Sequence, residues 1–517
     1  MRKAFAVISL LFLLILIPRI IFFDLDHGDE FSDASALTAG ENFLKFGFIK
    51  CRFLPSFEYS TDKPKGFYTH YPPLSETFNG FLRAVFRIDS LLYFRIVSII
   101  LSFAGILCWY LFIRNFITSP ILAYLATLFC VANPFFIYGA DSLHYHCYSE
   151  VIRFLFFLVF ILFLNSTGAK KRITLLCLWI INFINALITF EYIIYLPLYI
   201  LFFRCLFADF KEKISLKIIF LIISAAVSGF LLHFLQNSWH FGSFSLAFQD
   251  LKDSFLKRTI GGHELPQGLN FLAWLKYVIL RNFSLVFYFD AIVILLSIFL
   301  AFILYSKLSD KSREQTEKLF CLFIVFIICG INWYVFFPSH SLAHAFVNFL
   351  ARHLVPAAAI GFTIFTYIIY SFLKENNLWN NIYLKTSWIV VVSVIMLTGI
   401  LKSELPITLD KIERAQNFKV FTRCLWKLRE ISGENDDIGV NYFRFPFIRY
   451  YTHRNCSAIF NKDSLEKLPA LTDYFIFIPY GDQKSQELFK FLKEKYTPLW
   501  QCDSVRLPAI FFKLNNT

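Results

Sequence analysis

The densest group of side chains able to do acid–base chemistry is Asp24, Asp26, His27, Asp29 and Glu30, directly after the first apolar run of the chain. Carboxylates packed this closely repel one another, so the group reads either as a solvated turn or as a site that uses the charge. Its surroundings bear on the choice. Ser32 is a good helix N-cap, the residues from Asp33 to Phe46 suit a helix, and Gly47 stands where a helix would stop. Asp29 and Glu30 then lie at a helix N-terminus, whose dipole favours the ionised carboxylate. Such a carboxylate can orient a hydroxyl and accept its proton.

Three further constellations are chemically capable. In Tyr68-Thr69-His70-Tyr71-Pro72-Pro73-Leu74 the double proline stiffens the chain ahead of an amphipathic helix over 75–86. Asp141, His144 and His146 are a carboxylate and two imidazoles within six residues. They fit a divalent metal ion or a set of interfacial polar residues, and their spacing matches no particular metal site. His340 and His344, four apart, share a face if their stretch is helical. Shortly after them, Arg352 opens an apolar run ahead of His353 and Pro356, so it either reaches for the interface or holds a phosphate. Glu191, at the break between two apolar runs, is a further carboxylate of the same kind.

The elements that must position these residues are membrane spans. Hydrophobic residues make up 57% of the 517 and charged residues 17%. The apolar excess comes in runs of about 18 to 22 residues, the length that crosses a hydrocarbon core as a helix. Runs near 5–23, 92–113, 120–138, 151–165, 173–190, 192–207, 215–236, 283–305, 318–337, 350–373 and 386–401 predict about eleven crossings. The middles of these runs read as nearly free of charge. The first run has no small-residue cleavage site and is expected to stay as a helix. The net charge of +13 does not indicate nucleic-acid binding, because the bases flank apolar runs. The eleven cysteines show no CxxC pair and read as small buried residues; Cys424, Cys456 and Cys502, in the polar tail, leave a disulfide open.

Sidedness follows from charge. Short basic connections, such as Lys170-Lys171-Arg172 and Lys307 to Lys318, belong in the cytoplasm with the N-terminus. The segments 24–90, 139–150, 237–282 and 338–349 then lie outside, as does the tail 402–517. The tail has soluble composition, with helices expected over 409–431 and 485–496 and strands over 438–442, 474–479 and 510–514. The chain thus divides into a transmembrane module, 1–401, and a small C-terminal α/β domain.

The order of these features resembles the C-type (GT-C) membrane glycosyltransferases, in particular the bacterial branch of the lipid A aminoarabinose transferase and relatives of the protein O-mannosyltransferases. The stretch 27–48 is similar to that family's acidic first outer loop, His70–Leu74 sits where many members carry Lys-Pro-Pro-Leu, and Arg352–Pro356 is similar to their late Arg-Tyr…Pro element. The resemblance implies a polytopic α-helical protein of the bacterial plasma membrane with an outward-facing site. It also implies an inverting transferase that moves a sugar from a polyprenyl-phosphate carrier to a glycan, lipid or protein acceptor. Asp29 would be the base, with Glu30 and Asp141 as further catalytic carboxylates. The departure is Tyr71, which replaces the lysine thought to meet the lipid phosphate; His70, Lys63, Lys65 and Arg352 are the cations available instead, with Tyr71, His340 and His344 beside them. No resident cofactor is implied beyond a divalent metal ion at Asp141, His144 and His146. Two other classes stay open: a transporter or flippase of a lipid-linked substrate, expected to carry ionisable residues near the bilayer midplane and internal repeats, and an inactive scaffold.

Overall fold

The apolar runs form helices throughout. A computed structural model describes residues 2–21, 30–87, 90–117, 119–259, 270–343, 348–442, 445–460, 472–479, 482–502 and 508–514. Helix α1 (Arg2–Ile21) leads to α2 (Glu30–Phe46), a hairpin of β1 (Ser56–Glu58) and β2 (Lys65–Phe67), and α3 (Leu74–Phe86). The bundle continues with α4 (Leu91–Phe116), α5 (Pro120–Val131), α6 (Pro134–Gly139), α7 (Tyr145–Leu164), α8 (Gly168–Ile188), α9 (Tyr195–Leu206) and α10 (Ala208–Lys211). Next come α11 (Leu216–Phe241), α12 (Phe244–Thr259), α13 (Phe271–Ala273), a π-helical stretch (Trp274–Leu280), α14 (Arg281–Phe287) and α15 (Ala291–Tyr305). It closes with α16 (Asp310–Phe336), α17 (Pro338–Ala343), a 3-10 stretch (Asn348–Leu354), α18 (Val355–Glu375) and α19 (Ile382–Ile431).

All eleven expected spans fall on helical segments, but length and composition establish fewer crossings. Among the described residues, seven helices are long and apolar enough to span a bilayer, and an eighth is counted if Phe271–Phe287 and Ile292–Tyr305, bent by 65°, form one span. The apolar stretch of α1, α5 and α9 are shorter. The run at 120–138 is cut by Pro134, which holds Asn133 in an extended conformation and separates α5 from α6. The chain is a multi-pass membrane protein. The span Ala351–Glu375 is buried over 72% of its most apolar stretch and sits at the centre, whereas Ile382–Lys402 is buried over only 22% and faces lipid along most of its length.

Two local expectations change. Helix α2 starts at Glu30, so Ser32 lies inside its first turn and is not the N-cap. Its end is as expected, with Gly47 at φ +84°, a conformation in which glycine carries no side-chain penalty. The expected near-absence of charge in the middles of the spans has an exception at Arg153, inside α7, while the buried Arg95 lies near the start of α4, in its second turn. The α2–α3 pair packs closely because of Gly80, where a Cβ would come within 2.8 Å of Phe43.

Helix α19 runs on without a break past residue 401 into the C-terminal part. There β3 (Asp437–Val440), α20 (Phe445–Thr452), β4 (Asn455–Ala458), β5 (Tyr474–Phe477), α21 (Gln483–Lys495), β6 (Pro498–Cys502) and β7 (Ala509–Lys513) build a five-stranded sheet of order β4-β3-β5-β7-β6. The first three strands are parallel and the last two antiparallel. All four residues of β5 are buried because both faces of the sheet are covered. Tyr474 and Ile476 pack in one core with Ala34 and Leu37 of α2, Leu82 of α3 and Leu425 of α19, while Phe475 and Phe477 meet Leu488 and Leu492 of α21. All eleven cysteines are free thiols.

Candidate active site

The helices bring charged side chains together in two buried groups. In the first, Asp33 of α2 accepts hydrogen bonds from the backbone N–H of Leu143 (2.8 Å) and of His144 (3.3 Å), and so caps the start of α7 from a different helix. Arg95 lies 3.3 Å from Asp33 Oδ2 and 3.3 Å from Asp141 Oδ2, and also donates to the Asp141 carbonyl at 3.0 Å. All three residues are buried, at most 1% exposed. This arrangement ties α2, α4 and the 139–144 turn together and leaves Asp141 engaged with Arg95. Beside it, His144 Nδ1 is 2.7 Å from Glu76 Oε1, and the Ser75 hydroxyl donates to Glu76 Oε2 at 2.7 Å. Burial disfavours the charged form of Glu76, but the His144 ring and the Ser75 hydroxyl outweigh it and hold the carboxyl below its ordinary range.

The second group centres on Glu191, in the break between α8 and α9. Its carboxylate accepts hydrogen bonds from the Arg352 guanidinium and from the Tyr145 hydroxyl (2.7 Å), and lies 3.0 Å from His353 Nε2. Arg352 also contacts His146 Nδ1, and its guanidinium lies over the Tyr145 ring at 5.2 Å. One layer deeper, Glu150 binds Arg153 and the Tyr192 hydroxyl, and Arg153 donates to the Arg352 carbonyl at 3.3 Å. Burying this much charge is tolerable because Arg352 and Arg153 each face a carboxylate.

The Tyr68–Leu74 loop covers this group. It is anchored by the Thr69 carbonyl, which accepts from Asn237 at 3.0 Å and lies 2.9 Å from His233 Nε2, both on α11. It is also held by Asp250 of α12, which accepts from the Thr69 hydroxyl at 2.9 Å and lies 3.3 Å from His70 Nε2. The Tyr71 ring stacks on Tyr145 at 5.5 Å and 17°, and the Arg258 guanidinium lies over Tyr71 at 5.5 Å. The stacked tyrosine pair therefore carries a guanidinium on each ring, from Arg352 and from Arg258. Burial lowers the His70 pKa below its ordinary value, with Asp250 opposing the shift and Arg258 adding to it.

The sequence-predicted residues are dispersed unevenly over this frame. His70, Tyr71, His146 and Arg352 come together around Tyr145 and Glu191. Lys63 and Lys65 are exposed, and the charge of Lys65 is felt by Asp437 of β3, on the C-terminal sheet. His340 is buried edge-on against Trp333 at 5.9 Å. Asp24, Asp26, His27, Asp29 and His344 lie outside the described residues, as does the side chain of Glu30. Asp141, His144 and His146 turn to three different partners, Arg95, Glu76 and Arg352, and among the described residues no group of three His, Cys, Asp or Glu is placed to hold a metal ion. The set predicted for a divalent ion does not fit one.

Sequence reasoning missed Asp33, Glu76, Arg95, Glu150, Arg153 and Arg258. The signal for two of them was present: Glu150 and Arg153 are three apart within the first half of α7, where a charged pair in an apolar span is costly unless it is used.

A bundle of apolar helices, an amphipathic pair after the first helix, and a C-terminal α/β unit is the GT-C fold. Among the solved structures it resembles are two of ArnT from Cupriavidus metallidurans. The form bound to undecaprenyl phosphate superposes with a TM-score of 0.59 at 11% identity, and the apo form with 0.55 at 12%, each over 98% of both chains. No family model matches the chain, and no curated protein does.

Proposed function

We propose that this protein is an inverting glycosyltransferase that moves a sugar from a polyprenyl-phosphate carrier to an acceptor on the non-cytoplasmic side of the plasma membrane. The observation that carries the reading is the pairing of Arg352 and Arg258 on the Tyr145–Tyr71 stack, at a buried polar centre in a chain that follows ArnT over its whole length. In ArnT a structure with undecaprenyl phosphate exists; a lipid phosphate is the matching ligand here. Arg352 and Arg258, supported by His70, are assigned to the donor phosphate, and Arg258 takes the place of the lysine that Tyr71 replaces. Glu191 keeps Arg352 charged and aimed when no phosphate is present.

In the proposed reaction Asp29 accepts the proton of an acceptor hydroxyl or amine. The acceptor heteroatom attacks the anomeric carbon from the face opposite the phosphate. The bond from that carbon to the phosphate oxygen breaks, and the electron pair leaves on the lipid phosphate, whose growing charge the guanidinium groups stabilise. Asp141, paired to Arg95, is assigned a positioning role, and Glu30 a lesser role beside Asp29. Whole-chain likeness to ArnT favours transfer over transport of a lipid-linked substrate.

The test is purified protein in nanodiscs with a panel of polyprenyl-phosphate sugars, scoring release of polyprenyl phosphate and glycosylation of added glycan, lipid and peptide acceptors. Release that needs an acceptor and is lost in Asp29→Asn supports the reading. Vesicles in which the protein moves the intact donor across the bilayer without cleaving it would sink it.

A further inference from the structure

A second polar region lies away from this centre, between the α2–α3 pair and the C-terminal sheet unit. It is a cavity of about 670 Å³ walled by Glu41 and Lys45 of α2, Arg83 of α3, Arg87 just after it, and Arg429 and Arg454 from the C-terminal side. That volume suits a small organic ligand and is larger than a bare inorganic ion needs. Two carboxylates, Glu41 and Glu434, face five Lys and Arg side chains.

Several of these charges have structural duties. The Arg454 guanidinium donates to the carbonyls of Arg429 (3.1 Å) and Ser432 (2.7 Å), closing the end of α19. Arg83 is paired with Glu41 at 3.5 Å, and Glu41 also accepts from the Tyr59 hydroxyl. Lys45 donates to the Ser60 carbonyl at 2.8 Å. Arg87 and Arg429 have no such duty: among the described residues neither side chain has a hydrogen bond or ion pair. The His453 ring in the wall, stacked on Tyr59 at 5.1 Å, is depressed to about 4 by burial and then by Arg429, Arg454, Arg83 and Lys45, so it adds no charge near neutral pH.

We propose that this cavity binds a phosphate-bearing ligand, held by the guanidinium forks of Arg87 and Arg429. A concave surface with surplus positive charge focuses potential on its interior. Two forks free to turn match the several oxygens of a phosphate group better than a single carboxylate, because each fork makes two parallel hydrogen bonds. The volume left over points to a phosphate carried on a larger group. That group is either a soluble phosphate ester or the headgroup of an anionic lipid, and both present the same chemistry to the cavity.

The experiment compares the full-length protein with Arg87→Ser/Arg429→Ser, and with Lys170→Ser/Arg172→Ser as an equal loss of charge on an exposed surface elsewhere. Pyrophosphate and glucose 6-phosphate are titrated onto protein in phosphatidylcholine nanodiscs by calorimetry. Retained phosphatidylglycerol is counted by native mass spectrometry after reconstitution in mixed lipid. A soluble ligand predicts a dissociation constant at least about tenfold higher in the cavity variant only, the scale of losing charge-assisted hydrogen bonds. A lipid headgroup predicts no titration, but retained phosphatidylglycerol lower by a similar factor in the cavity variant only. Equal binding by all three proteins, or no binding by the native one, overturns the proposal. Both measurements read binding alone, so they stand or fall independently of sugar transfer.

Discussion

The polar centre around Glu191 and the basic cavity beside Arg429 are both rich in arginine, and they balance it in opposite ways. In the centre, Glu191 and Glu150 answer Arg352 and Arg153, and all four are nearly inaccessible. In the cavity, Arg87 and Arg429 are exposed and unanswered. The difference follows from the cost of desolvation. A charge in a dry interior must bring its counter-charge with it, whereas one at a wet surface can wait for a ligand. Charge in the first region must hold the fold together as well as serve the proposed donor site, whereas in the second it is left for the proposed ligand alone.

The sharpest way to break this comparison is to remove one partner from each region. Glu191→Ala strands Arg352 beside His353, and the expected loss of stability is about 3–5 kcal/mol, against less than about 0.5 kcal/mol for Arg87→Ser. Thermal unfolding of detergent-solubilised protein, followed by fluorescence size-exclusion, measures both. If Glu191→Ala/Arg352→Ala is less stable than Glu191→Ala alone, the pairing argument fails.

Next in size is the catalytic test. Asp29→Asn should lower turnover by about 10²-fold with normal abundance, as expected for loss of a general base. Asp141→Asn should act mainly through abundance, because it weakens the tie to Arg95. The reverse pattern at matched membrane levels would move the base to Asp141.

A smaller effect is expected at Arg258. Arg258→Ala should raise the donor dissociation constant roughly tenfold, the scale of one charge-assisted contact. Tyr71→Lys in that background should restore most of it, because the lysine returns a cation to the position where the GT-C family that the sequence resembles carries one. Donor binding measured for the three proteins decides this; no recovery in the double variant removes Arg258 from the phosphate site.

The smallest effect concerns pH. His453 has a folded-state pKa depressed to about 4 by burial and neighbouring cations. A depressed histidine binds its proton less well when folded, so its contribution is full above the unfolded value of about 6.5 and is lost as pH falls towards 4. Melting temperature between pH 7 and 4.5 should therefore fall less steeply in His453→Phe than in the native protein. Identical slopes would show that neither burial nor the neighbouring cations depress the ring.

The sequence disclosed the spans readily, since a helix that crosses lipid must be apolar for its whole length. Three of the tail's five strands were legible for a similar reason, Tyr474 to Phe477 being apolar without a break, whereas β4 and β6 mix polar and apolar residues and were not expected. The site was less legible. The Tyr71 loop and Arg352 stood out as polar residues beside apolar runs. Their partners Glu191 and Tyr145 are distant in sequence, and no local spacing announces a contact across 161 positions. Arg258 was invisible for another reason, because it ends an ordinary amphipathic helix and becomes notable only over the face of Tyr71. Length and composition leave the number of crossings open where a break such as Pro134 divides an apolar run.

Helix α19 spans Ile382–Ile431, fifty residues that begin in a membrane span and end with Arg429 in the last turn. A flexible tether over 403–431 would let the C-terminal unit roam roughly 30 Å from the bundle. A helix, advancing 1.5 Å per residue, fixes that separation. Arg429 is thereby delivered to Arg87 before any ligand arrives. The entropy of bringing the two walls together is spent during folding, so an incoming phosphate meets a preassembled clamp and keeps more of its contact energy as affinity.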